Sequence, residues 1–268
     1  MAPKGVVSTM LRIFSVFLLA PTVALASSID SSFAFRETFL PPGPPSVAMR
    51  LDETAILWNP AGLAFSNLYS VGYAWKGIYR EDQRTCATQF FLTKARGVGF
   101  GFLRDDLKEG VKTTALLSLA PRVSHNLSLG FTGKWRGGFN FDCGAMIKLG
   151  RRTLIGVVAR NLRKKENIRR YWEGGIRIVL AKDRLIAFGN VVNEDSPWRK
   201  STSYGGGFYV KLDNSMRSFI SYTDDGCGHT IFKASLEISA GDAMIEGSYS
   251  QSSDDWVTIS VRLSNWSR

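Results

Sequence analysis

Between Leu68 and the last residues of the chain, apolar and polar side chains alternate in short segments, and this period of two limits the fold more than any other feature. Segment 127–136 places leucines and aromatic residues on one face and Ser, Thr, Lys and Arg on the other, and segments 139–149, 231–238 and 257–263 follow the same pattern. Successive side chains of a β-strand point to opposite faces of a sheet, whereas a helix repeats every 3.6 residues. The sequence therefore predicts an all-β fold across this region.

The first 26 residues have the pattern of a secretory signal peptide. Lys4 and Arg12 form a positive start, the run from Ile13 to Val23 is mostly apolar, and Ala24-Leu25-Ala26 fits the small-x-small cleavage rule. A membrane anchor is the alternative, but Pro21 interrupts a stretch that is already shorter than the roughly 20 apolar residues of a spanning helix. We therefore expect export with cleavage of this segment.

Clusters of Gly, Asn, Asp and charged residues divide the alternating region into about 14 strands. The predicted strands are Leu68–Ile78, Thr85–Lys94, Gly97–Leu103, Lys112–Leu119, Leu127–Arg136, Phe141–Leu149, Thr153–Arg160, Tyr171–Leu180, Leu185–Val192, Ser201–Lys211, Met216–Tyr222, His229–Ile238, Ala243–Ser250 and Trp256–Leu263. Most of the connections alternate between tight turns and longer loops, such as Arg104–Val111, while 120–126 and 137–140 break that order. An even number of strands with this alternation is typical of bacterial outer-membrane barrels.

The alternating pattern by itself leaves two architectures open. A sheet of this kind buries its apolar face in the core of a soluble sandwich or turns that face to lipid in a membrane barrel. Many aromatic residues lie near the predicted strand ends, as a girdle at the level of the lipid headgroups requires. We predict an antiparallel transmembrane β-barrel of about 14 strands in contact with outer-membrane lipid, with a secreted or periplasmic β-sandwich binding module as the alternative.

The composition narrows the classes of partner and chemistry. The formal charge of +11 points, in an exported protein, to anionic lipid headgroups or acidic solutes rather than to nucleic acid. The three cysteines are scattered without Cys-x-x-Cys spacing, and the only histidines are His125 and His229, the latter close to Cys227 in a Gly-rich loop. We find no catalytic set, metal-ligand spacing or phosphate-binding loop, so no enzyme activity, metal or cofactor is predicted.

The segment before the strands has a different character. A proline-rich stretch, Pro41–Pro45, forbids regular structure, and the run Asp52–Ala64, DETAILWNPAGLA, then leads into the first strand. This run resembles the DA-hydrophobic-WNPAGLA sequence of FadL-type fatty-acid transporters and of the PorV-like (UPF0164-like) outer-membrane proteins. The resemblance covers the exported chain in layout but only this motif in sequence. The proline-rich stretch replaces the family's usual Gly- and Ala-rich one, and this chain is shorter than the fatty-acid transporters.

The resemblance implies a 14-stranded barrel with a short N-terminal plug segment that obstructs the lumen, and passage of hydrophobic solutes or support of protein export as the function. The plug motif that carries over consists of Trp58, Asn59, Pro60, Ala61, Gly62 and Leu63, and a structural turn with no gating role is the alternative. Physical reasoning leads the same way, because about eight strands already give a barrel that wall side chains just fill, and a wider one needs something else inside. We expect a signal peptide at 1–26, a plug segment at 27–67 and a barrel at 68–268.

Charged residues opposite the apolar stripe are candidates for the wall of the lumen. They are Arg136, Asp142, Arg177, Glu237 and Arg262. Opposite charges on neighbouring strands are expected to pair there and so to fix the register or narrow the pore. In a soluble sandwich the same residues would form a solvated outer face.

One predicted connection is strongly basic. It carries Arg163, Lys164, Lys165, Arg169 and Arg170. Strand parity with a periplasmic N-terminus places this connection outside the cell, where lipopolysaccharide phosphates are its expected ligand. A solvated loop without a ligand is the alternative.

Overall fold

The computed structural model describes residues 46–49, 51, 54–65, 69–79, 87–107, 110–163, 170–181, 184–195, 200–224, 230–240, 243–251 and 255–264. The expected signal peptide and the proline-rich stretch lie outside the described residues. In the described part of the chain, no helix is long and apolar enough to cross a membrane.

Two short helices precede fourteen β-strands within the described residues. The helices are α1 (Ala55–Trp58) and a 3₁₀ helix (Pro60–Phe65). The strands are β1 (Ser70–Tyr79), β2 (Ala87–Ala95), β3 (Val98–Leu107), β4 (Gly110–Leu119), β5 (Leu127–Trp135), β6 (Phe139–Leu149), β7 (Thr153–Arg160), β8 (Arg170–Ala181), β9 (Leu185–Asp195), β10 (Lys200–Lys211), β11 (Met216–Asp224), β12 (Thr230–Ala240), β13 (Ala243–Gln251) and β14 (Asp255–Ser264). The predicted all-β class is confirmed.

Every strand pairs antiparallel with its neighbours in the chain, and β1 also pairs with β14, so the order of hydrogen-bonded strands is circular. Ser70 at the start of β1 lies opposite Ser264 at the end of β14. We call the rim where these termini meet the terminal end, and the opposite rim the far end. The turns that follow the even-numbered strands lie at the terminal end. The tightest of them, Arg96-Gly97, has positive φ angles of 43° and 81°, as a two-residue hairpin turn of type I′ requires.

The strands extend further than predicted at the far end. The charges in Arg104–Val111 predicted a long loop, but β3 continues to Leu107 and β4 begins at Gly110. That prediction is wrong because its charges belong to the wall: Asp105 is buried and lies 3.0 Å from Arg136. The connections therefore alternate in length less regularly than the sequence predicts.

The burial pattern decides between the two architectures left open by the sequence. Large apolar side chains along the strands point outward and are exposed, whereas the polar side chains between them point inward and are buried. Leu129, for example, is 47% exposed, and its neighbour Ser128 is 0% exposed. A soluble sandwich would show the reverse, because its apolar faces meet in the core.

We call the exposed set the outer apolar belt. It consists of Phe91, Phe100, Phe102, Leu117, Leu129, Phe131, Ile147, Val157, Ile176, Ile178, Val191, Phe208, Ile220, Phe232, Leu236 and Ile245. The inward polar residues include Ser118, Ser128, Thr132, Asn140, Asp142, Ser203, Ser221, Ser235, Glu237, Glu246 and Ser248. An apolar outside and a polar inside are the arrangement that a lipid environment favours.

Candidate functional site in the barrel interior

The candidate site is the segment Thr54–Phe65, which lies against the inner wall of the barrel. All six residues of the predicted plug motif are buried there. Asn59 is extended, with φ −155° and ψ 106°, because a residue before proline avoids helical angles. Pro60 then opens the 3₁₀ helix at a position where its missing N–H has no helical partner to lose. The predicted Asn-Pro turn is thus a break between two helical turns.

Four glycines on the inner wall make room for this segment and for Ser46 and Val47, which precede it. They lie on β5, β6, β7 and β8 and are Gly130, Gly144, Gly156 and Gly175, which we call the glycine track. A Cβ atom at Gly156 would lie 2.7 Å from the carbonyl oxygen of Val47 and 3.0 Å from the side-chain amide nitrogen of Asn59. Gly130 and Gly144 face each other across β5 and β6, and added Cβ atoms there would overlap the segment. Any larger residue would displace the segment from the wall.

Asn59 connects the segment to two strands at once. Its Nδ2 donates to the carbonyl oxygens of Ala145 at 3.1 Å and Val157 at 3.4 Å, which lie opposite each other on β6 and β7. Its Oδ1 accepts from the backbone N–H of Ala61 at 3.1 Å. Both ends of this buried amide are therefore hydrogen-bonded, as a buried polar group requires.

Arg160, the last residue of β7, holds the carboxyl end of α1. Its Nη1 donates to the carbonyl oxygen of Leu57, and its Nη2 donates to that of Trp58 at 2.6 Å. The same guanidinium lies 3.1 Å from Glu173 and 3.5 Å from Asp142. The last carbonyls of a helical turn lack partners within the helix, and a cation satisfies them well.

Two further residues complete this network. Lys134 lies 2.7 Å from Asp142 and donates to the Oδ1 of Asn161 at 3.1 Å. The backbone N–H of Asn161 donates to Asp142 at 2.9 Å, and Asn161 has a positive φ of 55° that asparagine tolerates. Two cations and two carboxylates thus meet inside the barrel, where a buried charge is tolerated only when it is paired. We call Lys134, Asp142, Arg160, Asn161 and Glu173 the clasp.

Wall side chains also bind backbone carbonyls along the rest of the segment. Ser128 donates to the carbonyl oxygen of Ala61 at 2.7 Å, and Thr132 donates to that of Ile56 at 3.3 Å. The ammonium group of Lys94 donates to the carbonyl oxygen of Leu51 at 2.6 Å. The segment is therefore hydrogen-bonded to β5, β6 and β7, and Leu51 ahead of it is hydrogen-bonded to β2.

One sector of the inner wall is apolar. It is formed on β2, β3 and β4 by Phe90, Leu92, Leu103 and Leu116, which we call the inner apolar patch. Ile56 and Leu63 of the segment belong to the same buried cluster. The segment therefore covers the patch and keeps it dry.

The structure disperses the predicted lumen charges around the wall. Asp142 belongs to the clasp. Arg136 pairs with Asp105 near the far end, and Glu237 accepts a hydrogen bond from the hydroxyl of Tyr209 at 2.8 Å. Asp142 pairs with cations of its neighbouring strands, Lys134 of β5 and Arg160 of β7, whereas Arg136 follows β5 and pairs with Asp105 of β3, two strands away.

The two remaining predicted residues lie on β8 and β14. Arg177 lies on β8 opposite Leu154 of β7, on the inward face. Arg262 lies on β14 opposite Met244, and its side chain is outside the described part of the structure.

Arg160 is the main site residue that the sequence reasoning missed. The alternation of β7 places it on the inward face with the buried Val158. Asp142 and Glu173 lie on the two flanking strands of the same sheet. The sequence does carry a signal for this ion pairing, because the alternation places the Arg160 cation on the inward face of β7 between inward carboxylates on β6 and β8.

Two other sets of predicted residues fall largely outside the described part. Of the basic connection, Arg163 and Arg170 are described and exposed, whereas Lys164, Lys165 and Arg169 are outside it. Cys227 and His229 also lie outside it. Among the described residues, no group of three or more His, Cys, Asp or Glu is arranged to hold a metal ion.

Comparison with solved structures identifies the fold. The CymD monoaromatic hydrocarbon channel superposes with a TM-score of 0.56 at 12% identity, covering 82% of this chain and 93% of CymD. The Pseudomonas putida toluene transporter TodX gives a TM-score of 0.55 at 10% identity, covering 82% of this chain and 96% of TodX. A Pseudomonas aeruginosa FadL homologue gives 0.52 at 11% identity, covering 82% of this chain and 95% of that protein.

The chain therefore has the fold of outer-membrane β-barrels, FadL homologues among them. No protein-family model and no curated protein matches the sequence. The part of the resemblance that concerns PorV-like proteins stays a prediction.

Proposed function

We propose that this protein is a 14-stranded transmembrane barrel of the bacterial outer membrane that admits small hydrophobic solutes, and that its N-terminal segment is the plug that closes the lumen. The observation that carries the proposal is the inverted surface, with the outer apolar belt outside and the plug motif and polar residues inside. A bilayer tolerates only structures whose backbone groups are all hydrogen-bonded internally. A circular order of paired strands behind an apolar outer face meets that condition.

The contacts of the segment support its role as a plug. The glycine track gives it a seat, Asn59 binds β6 and β7, and the clasp holds the carboxyl end of α1. The wall carbonyl groups that Asn59 binds and the guanidinium of Arg160 are therefore hydrogen-bonded to the segment rather than to water. A solute that crosses this part of the interior would have to displace the segment.

The inner apolar patch supports a hydrophobic solute. Movement of Ile56 and Leu63 away from the wall would uncover Phe90, Leu103 and their neighbours on the inner wall. A concave apolar surface with a few polar groups around it suits a small apolar ligand. Of the superposed proteins, CymD is a monoaromatic hydrocarbon channel and TodX is a toluene transporter. For these reasons we favour solute passage over support of protein export.

One subsidiary role completes the proposal. The exposed residues Arg163 and Arg170 support binding of lipopolysaccharide phosphates by the basic connection at the far end. We propose no enzymatic role.

Membrane embedding is tested by fractionating cells that produce the full chain. The protein is expected in the outer-membrane fraction, and unboiled samples are expected to migrate differently from boiled samples on a detergent gel, because a barrel resists the detergent until heated. A protein recovered wholly from the periplasm as a soluble monomer would overturn the proposal.

The solute class is tested by uptake of radiolabelled toluene into intact Gram-negative cells whose own hydrocarbon channels are absent. Leu116→Ser alters the inner apolar patch, and Leu117→Ser alters the outer belt at the next position of the same strand. We expect the first change to lower uptake several-fold and the second to leave it near the wild-type rate. Equal uptake by cells with the wild-type protein and by cells without any of it would exclude the proposed solute class.

A further inference from the structure

The terminal end of the barrel carries a ring of exposed cations. One or two project from each of four turns, and they are Arg96 after β2, Arg122 after β4, Arg151 and Arg152 after β6, and Arg184 after β8. We call these residues the basic ring. They occupy consecutive hairpins of a circular sheet, so the charge is spread along the rim rather than gathered in one loop.

Exposed aliphatic side chains lie beside each part of the ring. They continue the outer apolar belt to the edge of the barrel and are Val98, Leu119, Leu149, Leu180 and Leu212. Leu149, for example, is 51% exposed and is separated from Arg151 by a single glycine. An arginine in such a place keeps its charge at the surface while its stem covers apolar neighbours.

The described residues of this rim include few acidic side chains. In the described residues of the terminal turns, the exposed carboxylate is that of Asp213, which accepts hydrogen bonds from the backbone of Ser215 and Met216. The described part of the terminal turns is therefore predominantly basic and attracts anions.

We infer that the basic ring binds the headgroup phosphates of anionic phospholipids in the leaflet that meets the terminal end. This inference rests on the proposed membrane embedding. An acidic protein would neutralise the arginines, but it would leave the aliphatic neighbours without an apolar partner. A lipid satisfies both, because its phosphate reaches the guanidinium groups while its acyl chains cover the leucines. Basic residues at an anionic bilayer surface attract it electrostatically, and the effect accumulates with their number.

The test compares two variants that each lose four positive charges. The ring variant is R96Q/R151Q/R152Q/R184Q, and Arg122 is kept because its guanidinium lies over the Phe65 ring, 5.4 Å from the ring centroid. The matched control is R163Q/K164Q/K165Q/R170Q at the far end. Each protein is folded into bilayers of phosphatidylcholine mixed with phosphatidylglycerol, extracted gently, and analysed by native mass spectrometry for retained lipid.

We expect the wild type to retain phosphatidylglycerol in preference to phosphatidylcholine, the ring variant to lose at least about tenfold of that preference, and the far-end variant to lose less than the ring variant. Equal retention by the ring variant and the wild type would overturn the inference, and so would an equal loss in both variants, since that reflects charge in general. Failure of the wild type to enter either kind of bilayer, seen as no shift on unboiled gels, would instead count against the proposed barrel.

Discussion

At the scale of single residues, wall side chains hold the N-terminal segment through its backbone carbonyls, and the charged ones among them are paired with one another. Arg160 is the centre of this arrangement, since it bonds the last carbonyls of α1 and two carboxylates with one guanidinium. Removing it would leave Asp142 and Glu173 buried with fewer counter-charges. The loss of one partner from a buried ion pair costs more than the pair itself contributes.

We predict that Arg160→Gln destabilises the barrel by about 3–5 kcal/mol. The measurement is the urea concentration at the midpoint of unfolding in detergent. Unfolding is monitored as the loss of the fast-migrating form on gels. Arg160→Lys, which keeps the charge but not the fork of donors, should fall between the two proteins. Arg163→Gln, an exposed residue three positions away, should leave the midpoint unchanged. A midpoint for Arg160→Gln within error of the wild type would show that the clasp does not stabilise the fold.

The glycine track gives a second prediction at this scale. Gly144→Ala places a Cβ atom in overlap with the side chain of Asn59, and such overpacking costs about 1–3 kcal/mol. Gly174→Ala is the matched control on the neighbouring wall, because nothing lies within 4 Å of its added Cβ. We expect faster hydrogen exchange across residues 54–65 in the first variant and no change in the second. Unchanged exchange in both would mean that the segment does not depend on this seat.

At the scale of elements, the turn between β10 and β11 shows how a short connection is stabilised. Backbone N–H groups of Ser215 and Met216, together with the Ser215 hydroxyl, hydrogen-bond to Asp213 and hold the pKa of its carboxyl below its usual range. A group whose pKa is lower in the folded state stabilises that state above its unfolded pKa of about 3.9, and the contribution disappears as the pH falls through the folded value.

We therefore predict that the Asp213 carboxyl titrates at lower pH than a free aspartate, as followed by carbon NMR in detergent. Ser215→Ala removes the hydroxyl donor but keeps the backbone one, so the titration should move only part of the way back. A titration at the ordinary value in the folded wild type would contradict the hydrogen bonds of this turn.

The strands and connections also show which features the sequence predicts and which it does not. The period of two predicts each strand and its outward face, because that signal is local to the strand. The third connection was misassigned, because charged residues indicate a loop unless they pair on a wall, as Asp105 and Arg136 do. The glycine track escapes such reasoning since glycine fits either face, and the alignment of Gly130 with Gly144 depends on the register between strands.

The candidate site was predicted in part for a related reason. The plug motif is contiguous in sequence, so Trp58 and Leu63 were recognisable as apolar residues that need burial. Arg160 binds carbonyl groups that are more than a hundred positions away and that every residue possesses. A backbone acceptor leaves no trace in the sequence. Its role appears only once the segment is placed inside the wall.

At the scale of the whole molecule, the N-terminal segment lies against the inner wall of the barrel, and under its proposed role as a plug the permeability depends on whether that segment stays in place. We predict that deleting Asp52–Ala64 gives a barrel that still migrates as a heat-modifiable form but conducts ions in planar bilayers in large, stable steps. The wild type should stay closed or open briefly, and Arg160→Gln should open more often than the wild type because the clasp no longer holds α1. Gly174→Ala serves again as the folded control with wild-type conductance. A deletion variant that is folded and still closed would show that other parts of the chain seal the lumen, because the only change was removal of the residues that lie on the glycine track and cover the inner apolar patch.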